Sequence, residues 1–383
     1  MHPKPSLRIT FVLLAAAAVA GTLVAQGLTT PPPGANQRSV VTQYMGMVSA
    51  TIEYNSPDVT SPTGEDRTGK IWGQLVPWGI APNPFFPGFG TAETMPWRAG
   101  SNECTTISFS HDVEIEGKPL AAGTYALFMA PGEEKWTVIF NRNHDAWGSF
   151  FYDPSLNALE VEVVPDKTDA FREWLTYEFD DRQLDTARAV LHWEYLKVPF
   201  RISVPDIARL YHDTMAMELT GATGFVFQNW IQASQWAAQQ DAYHDDAVVW
   251  ADAAITANTD FQTISNKAAV LFQIGREDEG MEALEQAMAQ PTATPVGVHM
   301  MARGLQAQGQ MDLANLIFRT NYEKNPGQWP VDFGMARVFA QEGDFDKALE
   351  HARIALERAP DDVQLQNLEA QIARLEKGEN INP

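Results

Sequence analysis

Among 383 residues there is one cysteine, Cys104. A single thiol excludes an intramolecular disulfide and any cysteine-based zinc cluster, so stability must come from packing. Free cysteine behaves as a small apolar residue, and Cys104, at the entry to a strand-like run, reads that way rather than as a nucleophile. Positive charge is scarce: 27 Lys and Arg against 49 Asp and Glu leave a net charge of −22. Such a chain repels phosphate backbones, which argues against nucleic acid and against adhesion to anionic lipid. Catalytic signatures are missing as well. There is no glycine-rich phosphate loop, no His-Glu-x-x-His pair and no Gly-x-Ser-x-Gly elbow. The eight histidines are scattered without ligand spacing. No catalytic residue, metal or cofactor is therefore expected.

Long apolar runs are confined to one place. Lys4 and Arg8 precede Ile9 to Ala20, and Ala18, Ala20 and Ala25 offer small-residue cleavage points. This is the secretory pattern, giving residues 1–25 as a signal peptide and a periplasmic or secreted destination. The alternative is an uncleaved anchor, since Ile9 to Ala25 is 17 residues, the short limit for a spanning helix. Membrane association is expected only in that case. Three consecutive prolines, Pro31 to Pro33, mark residues 26–43 as a disordered tether.

The length predicts two or three domains. From about residue 44 to 205 the apolar residues recur with a period of two. Val48–Tyr54, Thr105–Phe109, His111–Glu116, Gly123–Met129, Lys135–Phe140, Leu159–Val164, Leu175–Phe179, Ala187–Tyr195 and Arg201–Val204 read as short strands separated by turns. That spacing predicts an antiparallel β-sandwich or barrel. Only Asp169–Trp174 hints at helix. His192 and Glu194 share one face of their strand and read as solvated surface. Ile80–Pro96 carries four prolines and three phenylalanines, a loop long enough to pack over one end of the domain or to present a sticky patch.

Several motifs here are specific. Lys70-Ile-Trp-Gly-Gln-Leu-Val-Pro-Trp-Gly79, Trp97-Arg-Ala-Gly-Ser-Asn-Glu-Cys-Thr-Thr-Ile107, Gly117 to Phe128, Trp136 to Asn141, Trp147-Gly148 and Trp193-Glu194 resemble an exported bacterial family known as domain of unknown function 2911. The resemblance covers about residues 45–204. It implies a β-rich domain outside the cytoplasm, and brings no established activity. Two departures stand out. Ile80–Pro96 looks like an insertion, and alanine is usual in the family where this chain has Cys104.

After Pro205 the composition turns to alanine, glutamine and methionine. Asp206 is placed to cap a connecting helix within residues 206–226. Then a repeat appears: Gly275, Gly309 and Gly343 are 34 residues apart. The same register aligns Ser234, Ala268, Ala302 and Ala336, all small, and Leu271, Leu305 and Phe339, all large and apolar. A 34-residue period with this pattern is the tetratricopeptide signature, predicting four helix-turn-helix units over 227–362. Residues 363–383 are expected to hold a capping helix and a tail. The fold class is thus β followed by α: an antiparallel β-sandwich or barrel, then a tetratricopeptide-like solenoid.

Two candidate sites follow. In the β domain, Trp97, Arg98, Asn102 and Glu103 place a stacking face beside fixed donors and acceptors, a mix suited to a sugar or a peptide terminus. An Arg98–Glu103 ion pair shaping the turn is the alternative. In the solenoid, Gln235, His299, Arg303 and Arg337 fall on the inner helices and are candidates to contact a protein or peptide partner. Two arginines on one face suit a carboxylate, although residues 206–383 hold 12 basic and 26 acidic groups. The reading that combines these features is an exported, non-catalytic binding or scaffold protein. The alternative is a glycan- or small-ligand-binding protein or hydrolase with a cleft around Trp97–Glu103.

Overall fold

In the first part of the chain, alternation of apolar and polar residues builds twelve strands. They are β1 (Gln37–Met45), β2 (Val48–Ser56), β3 (Ala81–Pro82), β4 (Thr94–Met95), β5 (Thr106–Phe109), β6 (Val113–Ile115), β7 (Lys118–Leu120), β8 (Gly123–Ala130), β9 (Trp136–Asn141), β10 (Asn157–Val163), β11 (Asp166–Asp180) and β12 (Thr186–Ser203). The computed structural model describes residues 36–382. The expected signal peptide and the first part of the expected tether lie outside them. The chain divides into two compact units between Pro205 and Asp206.

The β unit is two antiparallel sheets. One has the order β1-β2-β5-β8-β9-β10, the other β11-β12-β6-β7, and β3 and β4 form a small hairpin of their own. Their facing sides share an aromatic core, with Tyr54 against Tyr177 and Phe140 against Phe200. Strand β1 corrects the tether: from Gln37 onward the chain is paired with β2 along its length. It escapes sequence detection because it is an edge strand whose only buried residue is Met45. Asp169–Trp174 is not helical but part of β11, and Ala187–Tyr195 and Arg201–Val204 are covered almost entirely by the single long strand β12. His192 and Glu194 are not surface residues. They are 2% and 5% exposed. One imidazole nitrogen of His192 lies 3.0 Å from the Ala170 carbonyl, and the Gly69 amide donates to Glu194. Ala189 to Glu194 are buried without a break, so both sides of the strand are covered here and alternation does not mark a solvated face; the backbone turns left-handed only at Glu194, φ 54°. In the Ile80–Pro96 segment both expectations meet: Phe89 contacts Phe150 and Phe151, while Phe85, Phe86 and Phe89 each remain about half exposed.

The second unit begins with α1 (Ile207–Leu219), capped by the Asp206 carboxylate, which accepts from the Arg209 amide at 2.9 Å. Four helix pairs follow: α2 (Phe227–Ala237) with α3 (His244–Ala257), α4 (Phe261–Gln273) with α5 (Glu277–Met288), α6 (Pro295–Ala307) with α7 (Met311–Lys324), and α8 (Trp329–Glu342) with α9 (Phe345–Glu357). Then α10 (Asp362–Leu375) covers the last pair with Leu368, Ile372 and Leu375. The repeat is visible in the geometry. Gly275, Gly309 and Gly343 sit at φ 79°, 80° and 79°, each turning an inner helix into an outer one. The first pair has Asp241 at that position and turns through a short 3-10 segment, Asp241–Tyr243, instead. Ser234, Ala268, Ala302 and Ala336 are fully buried, which lets the helices approach closely. Leu271, Leu284, Leu305 and Phe318 fill the space between pairs.

Candidate functional site: the inner face of the helical repeats

The first helix of each pair lines one face of the repeat array, with α2 packed on α4 and α6 on α8. Across α2, α4 and α6 this face opens into a groove of about 490 Å³. Its floor is apolar, with Phe261, Met301 and Leu305, and its walls are amides and hydroxyls, with Gln235, Gln262, Ser265 and Asn266. Asn266 fastens α4 to α2: its Nδ2 donates to Ser234 Oγ at 2.9 Å and its Oδ1 accepts from Gln235 Nε2 at 2.8 Å. A fixed amide between two helices holds the groove walls at constant spacing. Apolar pockets flanked by side-chain amides suit an extended polypeptide, whose backbone offers N–H and C=O groups in alternation.

Positions 235, 269, 303 and 337 occupy one repeat register, so Gln235, Ala269, Arg303 and Arg337 run in line down the inner face. The charge is concentrated at the α6–α8 end. Arg337 is only 5% exposed and its Nε has no hydrogen-bond partner. Its guanidinium lies 4.6 Å over the Phe333 ring, and burial, with Arg303 and Arg374 nearby, pulls its pKa down to about 9. Arg303 reaches Gln306 Oε1 at 3.3 Å. Among the described residues neither Arg303 nor Arg337 forms an ion pair with a carboxylate. His299 is not a free contact residue: it is buried against Phe318, Trp329 and Phe333. Burial, reinforced by Arg337 and Arg303, holds its pKa down to about 3, so it stays neutral.

What lies on Arg337 is the chain itself. After the left-handed turn at Gly378, residues 379–382 run back along α8. Arg337 Nη1 donates to the Ile381 carbonyl at 3.1 Å. The Asn382 side chain accepts from Gln306 Nε2 at 3.0 Å and donates to the Arg337 carbonyl at 2.9 Å. Ile381 is buried in the apolar cluster of Phe333, Ala336, Ala340 and α10. No sequence signal marks this segment, because two asparagines and an isoleucine in a tail carry no periodicity.

In the β unit the four candidate residues do not converge. Trp97 joins Trp72, Trp136 and Trp193, with ring centroids 5.7, 6.3 and 6.2 Å from its own. Its backbone pairs with Met129. Arg98 turns under the loop that follows β9. Its Nη1 donates to the Asn102 carbonyl at 2.7 Å, its guanidinium lies 4.8 Å over Phe150, and a Cβ on Gly148 would come within 2.5 Å of it. Asn102, at φ 54°, accepts from Asn36 at 3.2 Å. Glu103 accepts from Asn55 at 2.7 Å instead of pairing with Arg98. Of the four, Glu103 alone lines a second cleft, of about 460 Å³, on the outer side of the six-stranded sheet. There it meets Arg38, Glu53, Thr106, His144 and Trp147. Cys104 also borders this cleft, but burial pushes its thiol up to about 12, against a smaller opposing influence of Arg98. It is not poised for nucleophilic chemistry.

Fold and faces together define a chain with an antiparallel β domain followed by a tetratricopeptide-type solenoid. Residues 36–202 match the family described as "Protein of unknown function (DUF2911)" and residues 305–372 match a tetratricopeptide repeat family. No curated protein matches the sequence. Among solved structures, a crystal structure of MamA is similar at 15% identity, over 42% of this chain and 89% of that one, with a TM-score of 0.28. A tetratricopeptide repeat protein from Parabacteroides merdae is similar at 12% identity, over 44% and 66%, with a TM-score of 0.29. YrrB, described as a TPR protein with an unusual peptide-binding site, is similar at 15% identity, over 42% and 83%, with a TM-score of 0.26. At such scores nothing about this chain's ligand follows from the likeness.

Proposed function

We propose that this chain is an exported, non-catalytic binding or scaffold protein whose helical repeats hold a polypeptide partner along their inner face. The observation that carries the reading is the α2–α4–α6 groove, with an apolar floor between amide walls that Asn266 fixes in place. Export rests on the signal-like pattern of residues 1–25, and makes the periplasm or the exterior the place of action. Co-purification of the full chain from envelope extracts tests the partner: a polypeptide retained by the native chain and lost when Met301, on the groove floor, is changed to Glu supports the reading. Equal recovery by both chains refutes it. Sequencing the mature N-terminus tests export, and a chain still beginning at Met1 in the cytoplasmic fraction contradicts it.

The cleft beside Glu103 supports a second reading, a small polar ligand such as a glycan, because Trp147 is half exposed next to hydroxyls and carboxylates. Glycan-array binding that is lost in Trp147→Ala would favour it, and an empty array would remove it.

A further inference from the structure

The outer strands of a sheet carry backbone groups with no ladder to join, and proteins blunt such edges against pairing with another chain. The two sheets of the β unit have four edges, β1, β10, β11 and β7. Three of them carry a blunting device. Strand β10 breaks register between Asn157 and Leu159 and presents Glu160 and Glu162 to solvent. Strand β11 shifts register twice and carries Asp166, Lys167, Asp169, Arg172 and Glu173. Strand β7 is three residues long and includes Pro119. Strand β1 has none of these. Its nine residues pair with β2 in unbroken register, without proline or carboxylate, and Arg38 is its one charge.

The hairpin decides which backbone groups of β1 are open. Met45 and Val48 flank the two-residue turn at Gly46 and Met47 and so form a hydrogen-bonded pair, which assigns the odd-numbered residues of β1 to β2. Ser49, opposite Tyr44, has the same phase, because its amide and carbonyl bond to Ser110 on its other side. Arg38, Val40, Thr42 and Tyr44 therefore aim their N–H and C=O groups at the open edge. Among the described residues only the Tyr44 carbonyl has a partner there, the Gln43 side-chain amide at 2.6 Å. That bond is local, and a second strand displaces it. Val40 and Tyr44 also leave large apolar side chains in solvent, 60% and 64% exposed.

The strand complements itself. With two copies antiparallel about Val41, Val40 faces Thr42 of the second copy, Ser39 faces Gln43, and Arg38 faces Tyr44. All four outward residues then lie in hydrogen-bonded pairs, and β-branched and polar side chains meet their like. Each Arg38 is paired with Glu53 of its own chain, and the two guanidiniums stand about 20 Å apart along the strands. A chain of net charge −22 thus meets its copy here without like charges in contact.

We propose that β1 is the interface of a homodimer, in which two copies pair antiparallel about a two-fold axis at Val41 and merge their six-stranded sheets into one. The axis runs through the sheet from face to face, so both clefts beside Glu103 open on the same side. Tyr44 of the second copy falls beside Arg38, which lines the cleft, so each copy adds an aromatic to the other's site. The inference stands apart from the inner-face reading of the helical repeats.

The test is sedimentation of the full chain at micromolar concentration, together with cysteine pairing in a Cys104→Ala background. A mass twice the 42.5 kDa of one chain is expected. Thr42→Pro removes an outward N–H that β2 does not use, and is expected to give single chains with an unchanged circular dichroism spectrum. Val41→Cys sets two thiols at a non-hydrogen-bonded pair whose Cα atoms are about 4.5 Å apart, within disulfide reach. The two copies of Val40→Cys stand diagonal to each other, about 7–8 Å apart, too far to bridge. Val41→Cys is therefore expected to form a covalent dimer at least about tenfold faster than Val40→Cys. Should Thr42→Pro lose its sheet spectrum, the cysteine rates decide alone. Single chains in sedimentation, a native mass that folded Thr42→Pro does not lower, or equal rates for the two cysteine variants would overturn the inference. So would Val41→Cys crosslinking to other polypeptides and not to its own copy.

Discussion

His299 makes the helical unit sensitive to acid in a way that can be calculated. Its ring is buried among Phe318, Trp329 and Phe333, and its pKa falls from an ordinary 6.5 to about 3 through burial, with Arg337 and Arg303 adding repulsion. A hydrogen bond with the Pro330 backbone opposes this without reversing it. The unfolded chain takes up a proton below pH 6.5 and the folded chain does not until about pH 3, so the stabilising effect is complete above 6.5 and drains as the pH falls towards 3. At pH 4.5 the loss from this residue is about 3 kcal/mol, since two pH units below an unfolded pKa of 6.5 is a hundredfold shift. For a unit of this size that lowers the melting temperature by about 5–11 °C. The assay is thermal unfolding followed at 222 nm at pH 7 and pH 4.5, for the native chain and for His299→Phe. Phenylalanine keeps an aromatic ring beside Phe333 and cannot titrate. The stability of the native chain relative to His299→Phe is expected to fall by about 3 kcal/mol on going to pH 4.5. Identical pH dependence in both proteins would mean that the imidazole protonates freely in the fold, and would refute the burial argument.

Asn266→Ala is expected to destabilise the helical unit by about 1–2 kcal/mol, because the buried hydrogen bond to Ser234 and the part-buried one from Gln235 are lost, the exposed Gln235 turning to water. A double-mutant cycle with Ser234→Ala that shows no coupling would contradict it. Asp332 is buried, with one oxygen 2.8 Å from Arg358 Nη1 and the other 3.4 Å from His351 Nδ1. Asp332→Ala is expected to cost about 3 kcal/mol in a urea titration, and a change under about 0.5 kcal/mol would show the pair to be solvated. Alkylation of Cys104 at pH 8 is expected to run about a thousandfold slower in the native chain than in urea, from a thiol raised from 9.0 to about 12. Equal rates would restore the thiol as a reactive group.

The repeat was legible because it is periodic. Glycines that need a left-handed backbone recur every 34 residues, and small residues mark where helices touch. The strands were legible where one face is buried and one solvated, as in β2, and illegible at β1, whose length lies almost wholly in solvent at the sheet edge. The β-domain candidates scattered for a similar reason. Neighbours in sequence diverge when two left-handed residues, Ala99 and Asn102, turn the chain between them, sending Trp97 to the tryptophan cluster and Glu103 to the outer cleft. In the solenoid Arg303 and Arg337 could be placed from register alone. The cover over Arg337 could not, because Ile381 and Asn382 find their partners on Arg337 and Gln306, 44 and 76 residues away in sequence.

The claim that most needs a direct test is that the inner face of the repeats is the binding surface. A photo-crosslinking phenylalanine derivative placed at Gln262 or Ser265, on the groove wall, should trap a polypeptide in envelope extracts. The same group at Glu282 or Gln286, exposed on the outer helix α5, should not. Crosslinks of equal yield from both faces, or from α5 alone, would contradict the account.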